Sequence, residues 1–179
     1  MSETEVSKYL SYILRHAPEA AGLSLDREGW AAIEEVLAGA RRARKAFDRA
    51  FLQLVVDNNS KRRFEISPDG LRIRAVQGHS TSEVQRDYNP VEPPAQLFHG
   101  TAERFLVPIR VGGLKPGSRH HVHLSADEDT AVAVGRRHGR PVVLRVDAAG
   151  MRAAGHEFYQ AENGVWLTAS VPPQYLAER

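Results

Sequence analysis

Val6, Tyr9, Leu10, Ile13 and Leu14 recur at the three-and-four spacing of a helix that buries one face, and Ser2 with Glu5 forms a capping box at its start. Pro18 ends this helix, because the residue before a proline is pushed out of helical geometry, and Arg15 and His16 are left in the last turn. Leu23 to Asp26 reads as a short extended piece. Ile33, Val36 and Leu37 mark a second helix, and Phe47, Ala50, Phe51, Leu54 and Val55 mark a third that stops at Asn58 and Asn59. Two alternating runs follow, Arg63 to Ile66 and Leu71 to Val76. The turn chemistry of Ser67-Pro68-Asp69-Gly70 between them predicts a hairpin. Its Phe64, Ile66, Leu71 and Ile73 are expected to face a core, and Arg63, Arg72 and Arg74 to face out.

Three helices followed by a hairpin is the order of a winged helix, whose wing often touches phosphate backbones. From Gln77 to Gln96 the periodicity collapses, and Asn89-Pro90-Val91-Glu92-Pro93-Pro94 reads as a stiff linker. The expected organisation is therefore a first lobe over 1–80, a linker over 81–95 and a second lobe over 96–179. In the second lobe Gln96 to His99, Val122 to Ser125, Val142 to Val146 and Val165 to Thr168 are expected strands. Ala102 to Val111 and Asp129 to His138 are expected helices. The fold class is α+β, with no internal repeat.

Composition narrows the chemistry. There are no cysteines among the 179 residues, which excludes disulfide frameworks, cysteine nucleophiles and thiolate zinc sites. No apolar run approaches about 18 residues and no basic-then-apolar leader is seen, so a soluble, cytoplasmic protein without membrane contact is expected. The net charge of +2 says little about nucleic acid by itself. The basic residues are clustered, however, with Lys61, Arg62, Arg63, Arg72 and Arg74 near the hairpin and Arg41, Arg42, Arg44, Lys45 and Arg49 in a second group that reads as a solvated helix face.

The densest chemistry lies in Arg119-His120-His121-Val122-His123-Leu124-Ser125. A strand beginning near Arg119, after the Lys115-Pro116-Gly117-Ser118 turn, would put Arg119, His121, His123 and Ser125 on one face and His120, Val122 and Leu124 on the other. A His-x-His pair suits a metal ion, a solvated edge, or an organic or phosphate ligand. Arg119 weighs against metal, because a guanidinium repels a cation and forks onto phosphate. His99-Gly100-Thr101 closes the first strand of the second lobe, where the glycine lets a ligand approach the backbone and the imidazole and hydroxyl supply hydrogen bonds. Trp166, in Asn163-Gly164-Val165-Trp166-Leu167-Thr168, is expected in the core.

Taken in order, Ser7 to His16, Gly29-Trp30, Ser60 to Phe64, Arg74 to Ser80, Phe98 to Thr101, Arg119 to Ser125, Asn163 to Thr168 and Val171-Pro172-Pro173 resemble the NAD-dependent RNA 2′-phosphotransferases across nearly the whole chain. The resemblance implies an N-terminal winged-helix RNA-binding lobe and a C-terminal ADP-ribosyltransferase-like lobe that holds NAD without a G-x-G-x-x-G fingerprint, which this chain lacks. It places the catalytic quartet on Arg15, His16, Arg63 and Arg119. NAD contacts fall on His99, Gly100, Thr101, Arg119, His121, His123 and Ser125, and RNA contacts on Arg15, His16, Arg63, Arg72 and Arg74.

The implied reaction takes NAD as co-substrate and needs no metal. An internal RNA 2′-phosphate attacks the nicotinamide ribose, nicotinamide leaves, and the ADP-ribosylated phosphate is released by transesterification. The products are RNA with a free 2′-hydroxyl and ADP-ribose 1″,2″-cyclic phosphate. The expected partner is a 2′-phosphorylated RNA, tRNA or another, bound by a monomer. Two alternatives stay open: an ADP-ribosyltransferase that stops after the first step on a terminal phosphate or a protein, and a winged-helix nucleic-acid binder without catalysis.

Overall fold

A computed structural model describes residues 1–179, which form two compact units, 1–87 and 88–179. In the first, α1 (Glu3–Arg15) starts on the expected capping box: the Ser2 amide donates to Glu5 Oε2 at 2.7 Å and the Glu5 amide donates to Ser2 Oγ at 3.3 Å. The helix stops at Arg15, with His16 as its C-cap. A short 3-10 turn over Pro18–Ala21 follows and ends in the left-handed Gly22. Leu23 to Asp26 is not a strand. Leu23 and Leu25 are buried, and the Leu25 amide is satisfied by the Glu83 carboxylate at 2.8 Å instead of by a sheet partner.

A short strand, β1 (Ala31–Ala32), then enters α2 (Ile33–Arg42), and α3 (Arg49–Asp57) follows on an Asp48 cap. The buried positions of α3 are Leu52 and Val55, with Phe51 packed against them, while Leu54 is exposed. The hairpin is β2 (Phe64–Ile66) and β3 (Arg72–Ala75). Its turn is closed by Ser67 and Asp69 side chains and by Gly70 at φ +73°. Phe64 and Ile73 are buried as expected, but Leu71 lies beyond the end of β3 at the hairpin tip and is exposed.

The strand absent from the hydrophobic pattern, β1, pairs antiparallel with β3 (Ala31 opposite Ile73), so β3 is the middle of a three-stranded sheet ordered β1-β3-β2. This corrects the outward orientation expected for Arg74. It is only 9 % exposed, bonded to Glu65 at 2.8 Å and to Glu28 at 3.5 Å, and stacked 4.4 Å over the Trp30 ring. Arg72 remains at the surface and covers the same ring at 5.3 Å. Trp30 is held by the Asp26 carboxylate, which accepts from the amides of Glu28 and Trp30, both at 2.9 Å.

The second unit begins with β4 (Gln96–Ala102), longer than expected, so that α4 (Leu106–Gly112) is preceded only by a 3-10 turn over Glu103–Phe105. Next come β5 (Val122–Leu124), α5 (Glu128–Gly135), β6 (Pro141–Asp147), α6 (Ala148–Ala153), β7 (Phe158–Gln160), β8 (Trp166–Thr168) and β9 (Leu176–Glu178). They form two antiparallel sheets, β4-β6-β9 and β5-β8-β7, joined by a bridge between Phe98 and Ser125. Leu97, Leu124, Leu144, Met151 and Phe158 fill the core, and Trp166 is buried with them. The strand expected from Arg119 begins only at Val122: residues 119–121 form a bend, with the Arg119 amide bonded back to the Pro116 carbonyl. No helix is long and apolar enough to cross a membrane.

Candidate active site

In the first unit the residues singled out by sequence gather at the end of α1. His16 Nδ1 lies 2.8 Å from Ser80 Oγ, and the amides of Ser80 and Thr81 donate to the Arg15 carbonyl. On the helical wheel Arg15 points opposite the Val6/Leu10/Leu14 stripe, which suggests a side chain free to reach across a cleft. Instead it is 8 % exposed, because the chain returning from β3 crosses over it. Gly78 makes that crossing at φ +89°, a left-handed conformation that a side chain would strain, with the Arg15 side chain in van der Waals range of where its Cβ would stand. His79 is likewise buried, with Nε2 3.0 Å from where a Gly29 Cβ would stand. Gly29-Trp30 and Arg74 to Ser80, matched by sequence, therefore build the shelf behind Arg15 and His16.

Arg63 and His16 line one groove of about 480 Å³ between α1 and the Asn58 to Arg63 loop. The Arg63 amide donates to Asn59 Oδ1 at 3.3 Å, and the preceding Arg62 holds a left-handed φ of +44°. A non-glycine residue in that region is strained, and such strain persists where the surroundings fix the loop. Arg72 and Arg74 lie on the Trp30 platform and do not line this groove.

In the second unit Arg119 and His99 both bond to His123, one through its ring and the other through its backbone carbonyl. Arg119 Nη1 donates to His123 Nδ1 at 2.9 Å, and His99 Nδ1 lies 3.0 Å from the His123 carbonyl oxygen. A guanidinium only donates and a carbonyl only accepts, so His123 Nδ1 carries no proton and His99 Nδ1 does. His123 is then neutral, and His99, whose lowered pKa favours the uncharged ring near neutral pH, presents Nε2 as an acceptor suited to a sugar hydroxyl. Burial holds the His99 pKa below its ordinary value, with the His138 charge adding to that, against a smaller opposing effect of the bond to His123. Burial, with Arg137 nearby, likewise depresses Arg119, so a second positive charge lies within reach of this cluster.

His121 leaves the bend in another direction and packs edge-on against Tyr88 (5.9 Å) and Tyr159 (5.5 Å). Burial, then His120, lowers its pKa. Tyr88 and Tyr159 carried no local signal in the sequence. Ser125 pairs through its backbone with Phe98, and Thr101 is buried. Gly100 has a different role from the ligand approach expected of it: a Cβ there would overlap the Ala131 carbonyl of α5, so the glycine lets α5 lie on β4.

The depressed pKa values carry a sign. A histidine whose folded pKa is lowered contributes stability that is complete above its ordinary value of 6.5 and is lost as pH falls through the folded value. Thermal melts are expected to be flat from pH 8 to about 7 and to fall below about 6.5. The decline should be smaller in His99→Gln, which keeps a polar side chain that does not titrate. An unchanged acid decline in that variant would place the effect elsewhere.

Against known proteins, the model of the "RNA 2'-phosphotransferase, Tpt1 / KptA family" matches residues 1–170. Among similar curated proteins, one from Pseudomonas aeruginosa named "Probable RNA 2'-phosphotransferase" is 61 % identical over 174 residues, covering 97 % of this chain and 96 % of that protein. Proteins of the same name from Burkholderia lata and Agrobacterium fabrum are 59 % and 58 % identical, covering 98 % and 97 % of this chain and 90 % and 92 % of their own lengths. A match of this length, spanning the groove of His16 and Arg63 and the His99, Arg119 and His123 cluster alike, means that the chain belongs to the RNA 2′-phosphotransferase, Tpt1/KptA, family.

Proposed function

We propose that this transferase removes an internal 2′-phosphate from RNA by passing it to NAD, leaving a 2′-hydroxyl, nicotinamide and ADP-ribose 1″,2″-cyclic phosphate. The observation that carries the NAD assignment is the cluster of Arg119, His123 and His99: a guanidinium for phosphate next to an imidazole acceptor for a sugar hydroxyl. NAD, when bound, supplies an anomeric carbon open to attack and nicotinamide as leaving group. Unit 1, with its order of helix, strand, two helices and hairpin, supports a winged-helix reading, and unit 2 is read as the ADP-ribosyltransferase-like lobe.

Arg15, His16 and Arg63 are assigned to the RNA 2′-phosphate. That group is already anionic, so the first step needs no general base. In the second step the neighbouring ribose hydroxyl attacks phosphorus, the bond from phosphorus to the RNA 2′-oxygen breaks, and that oxygen takes up a proton. Negative charge builds on the phosphoryl oxygens, where guanidinium donors are most effective. His16, whose Nδ1 rests on Ser80, is assigned to carry a proton between the hydroxyl and the departing oxygen.

The test is incubation with an oligonucleotide bearing one internal 2′-phosphate, with and without NAD. Formation of the cyclic phosphate only with NAD is expected, at full rate after exhaustive chelation, because arginines supply the charge. Activity lost on chelation and rescued by zinc would restore the metal reading of His121 and His123. Nicotinamide release without cyclic phosphate would assign an ADP-ribosyltransferase that stops after the first step.

A further inference from the structure

The groove that contains His16 and Arg63 extends along α1 past Tyr12, Ser11, Lys8, Ser7 and Thr4, well beyond what a single phosphate needs. These residues follow one another at the three-and-four spacing of one helix face, opposite the buried Val6, Leu10 and Ile13. Its far wall is pinned to the helix: Asn58 Nδ2 donates to Glu3 Oε2 at 3.1 Å, and Asn59 Nδ2 donates to Ser7 Oγ at 3.2 Å. The groove is therefore a formed feature, and its 480 Å³ is in the range that houses a nucleotide-sized ligand.

Its chemistry selects the occupant. Lys8, His16 and Arg63 face one acid, Glu3, whose carboxylate is already engaged by Asn58. Apart from Val55, the remaining lining is hydroxyls and amides, which suit ribose hydroxyls and base edges. Tyr12 is 50 % exposed and makes no ring or cation contact within the protein, although it is a large aromatic beside a cationic cluster. An exposed ring next to phosphate-binding charge is the pairing from which single-stranded nucleic-acid sites are built.

We propose that this groove seats the nucleotide adjoining the phosphate-bearing ribose, with Tyr12 stacking on its base and Lys8 meeting the next backbone phosphate. The proposal rests on the RNA reading above and adds to it a path for the strand. RNA follows α1, and the wing arginines Arg72 and Arg74 serve the Trp30 platform.

Binding measured by fluorescence anisotropy without NAD tests this independently of turnover. The probe is a labelled hexanucleotide with one internal 2′-phosphate, compared with two versions in which the base on one or the other side of that nucleotide is removed. Tyr12→Ala is expected to weaken binding of the intact probe about ten-fold, the loss of one base–aromatic stack, and Tyr12→Phe less than about two-fold. One abasic probe should bind wild type about ten-fold more weakly and lose nothing further with Tyr12→Ala. Lys8→Ala should lower the slope of log affinity against log salt by about 0.7, the value for one phosphate contact on a single strand.

Tyr12→Ala is expected to melt with the wild type, since the ring is half exposed. A Tyr12→Ala loss that is equal on all three probes, or no loss at all, overturns the proposal. Failure of NAD-dependent turnover alongside an intact stacking cycle would reject the proposed reaction and leave the RNA path standing.

Discussion

Arg63→Ala is expected to slow release of the 2′-phosphate by about 10²–10³-fold, the loss associated with removing one preorganised donor from a developing anion. The defect should fall on transesterification rather than on nicotinamide release. Attack on the ribose uses a phosphate that is charged beforehand, whereas attack on phosphorus concentrates charge that the guanidinium has to meet. RNA carrying ADP-ribose on its 2′-phosphate should therefore accumulate and be visible as a slower-migrating species. Arg63 lines the groove with His16, follows the left-handed Arg62, and is tied to Asn59 through its amide.

Arg63→Lys should recover only part of the rate, because an ammonium cannot fork across two phosphate oxygens. Arg15→Ala is expected to trap the same species, with a melting curve recorded in parallel because Arg15 is buried. Equal loss of nicotinamide release and of the later step in both alanine variants would show that the arginines do not divide the work in this way.

Gly100→Ala is expected to have the largest effect on stability. The added methyl group would meet the Ala131 carbonyl oxygen, a backbone atom of α5 that cannot rotate aside, and the Gly135 amide lies next to it. Either α5 lifts from β4 or β4 shifts against β6, whose Val143 is opposite Gly100. Overpacking that ordinary side chains relieve costs about 1–3 kcal/mol, and here the cost should reach or exceed about 3 kcal/mol. For a unit of this size that lowers the melting temperature by on the order of 15 °C. Gly117→Ala is the control, since Gly117 has a positive φ of +64° but nothing within 4 Å, so only its backbone strain of about 1 kcal/mol is felt. If Gly100→Ala melts like the wild type and loses only ligand affinity, the glycine serves ligand approach after all.

The two sheets show where local pattern is informative. α1, α5, β4, β6 and the hairpin were legible because each has its own signal: a capping residue, a turn sequence, or an apolar run long enough to show a period. β1, β7 and β9 have two or three residues each, too few for any period; β1 and β9 exist because a longer strand offers an open edge, and β7 because β8, equally short, does. The exposed Leu54 and the buried Leu52 in α3 show the same limit, since two apolar stripes compete and the neighbours choose between them.

In the candidate site, residue types and order along the chain were determined by the sequence alone, as was the pairing of Val122 and Leu124 toward the core. Spacing did not reveal that Arg119 reaches His123 from a bend, that His121 turns instead toward Tyr88 and Tyr159, or that His16 meets Ser80. Arg74 and Arg15 make the reason plain. Periodicity records which face an element gives to its nearest core, but whether the opposite face stays in water depends on segments far away in the chain. Here β1 and the Trp30 turn close over Arg74, and the crossing at Gly78 closes over Arg15. Only the tertiary structure decides which cations remain available to a phosphate.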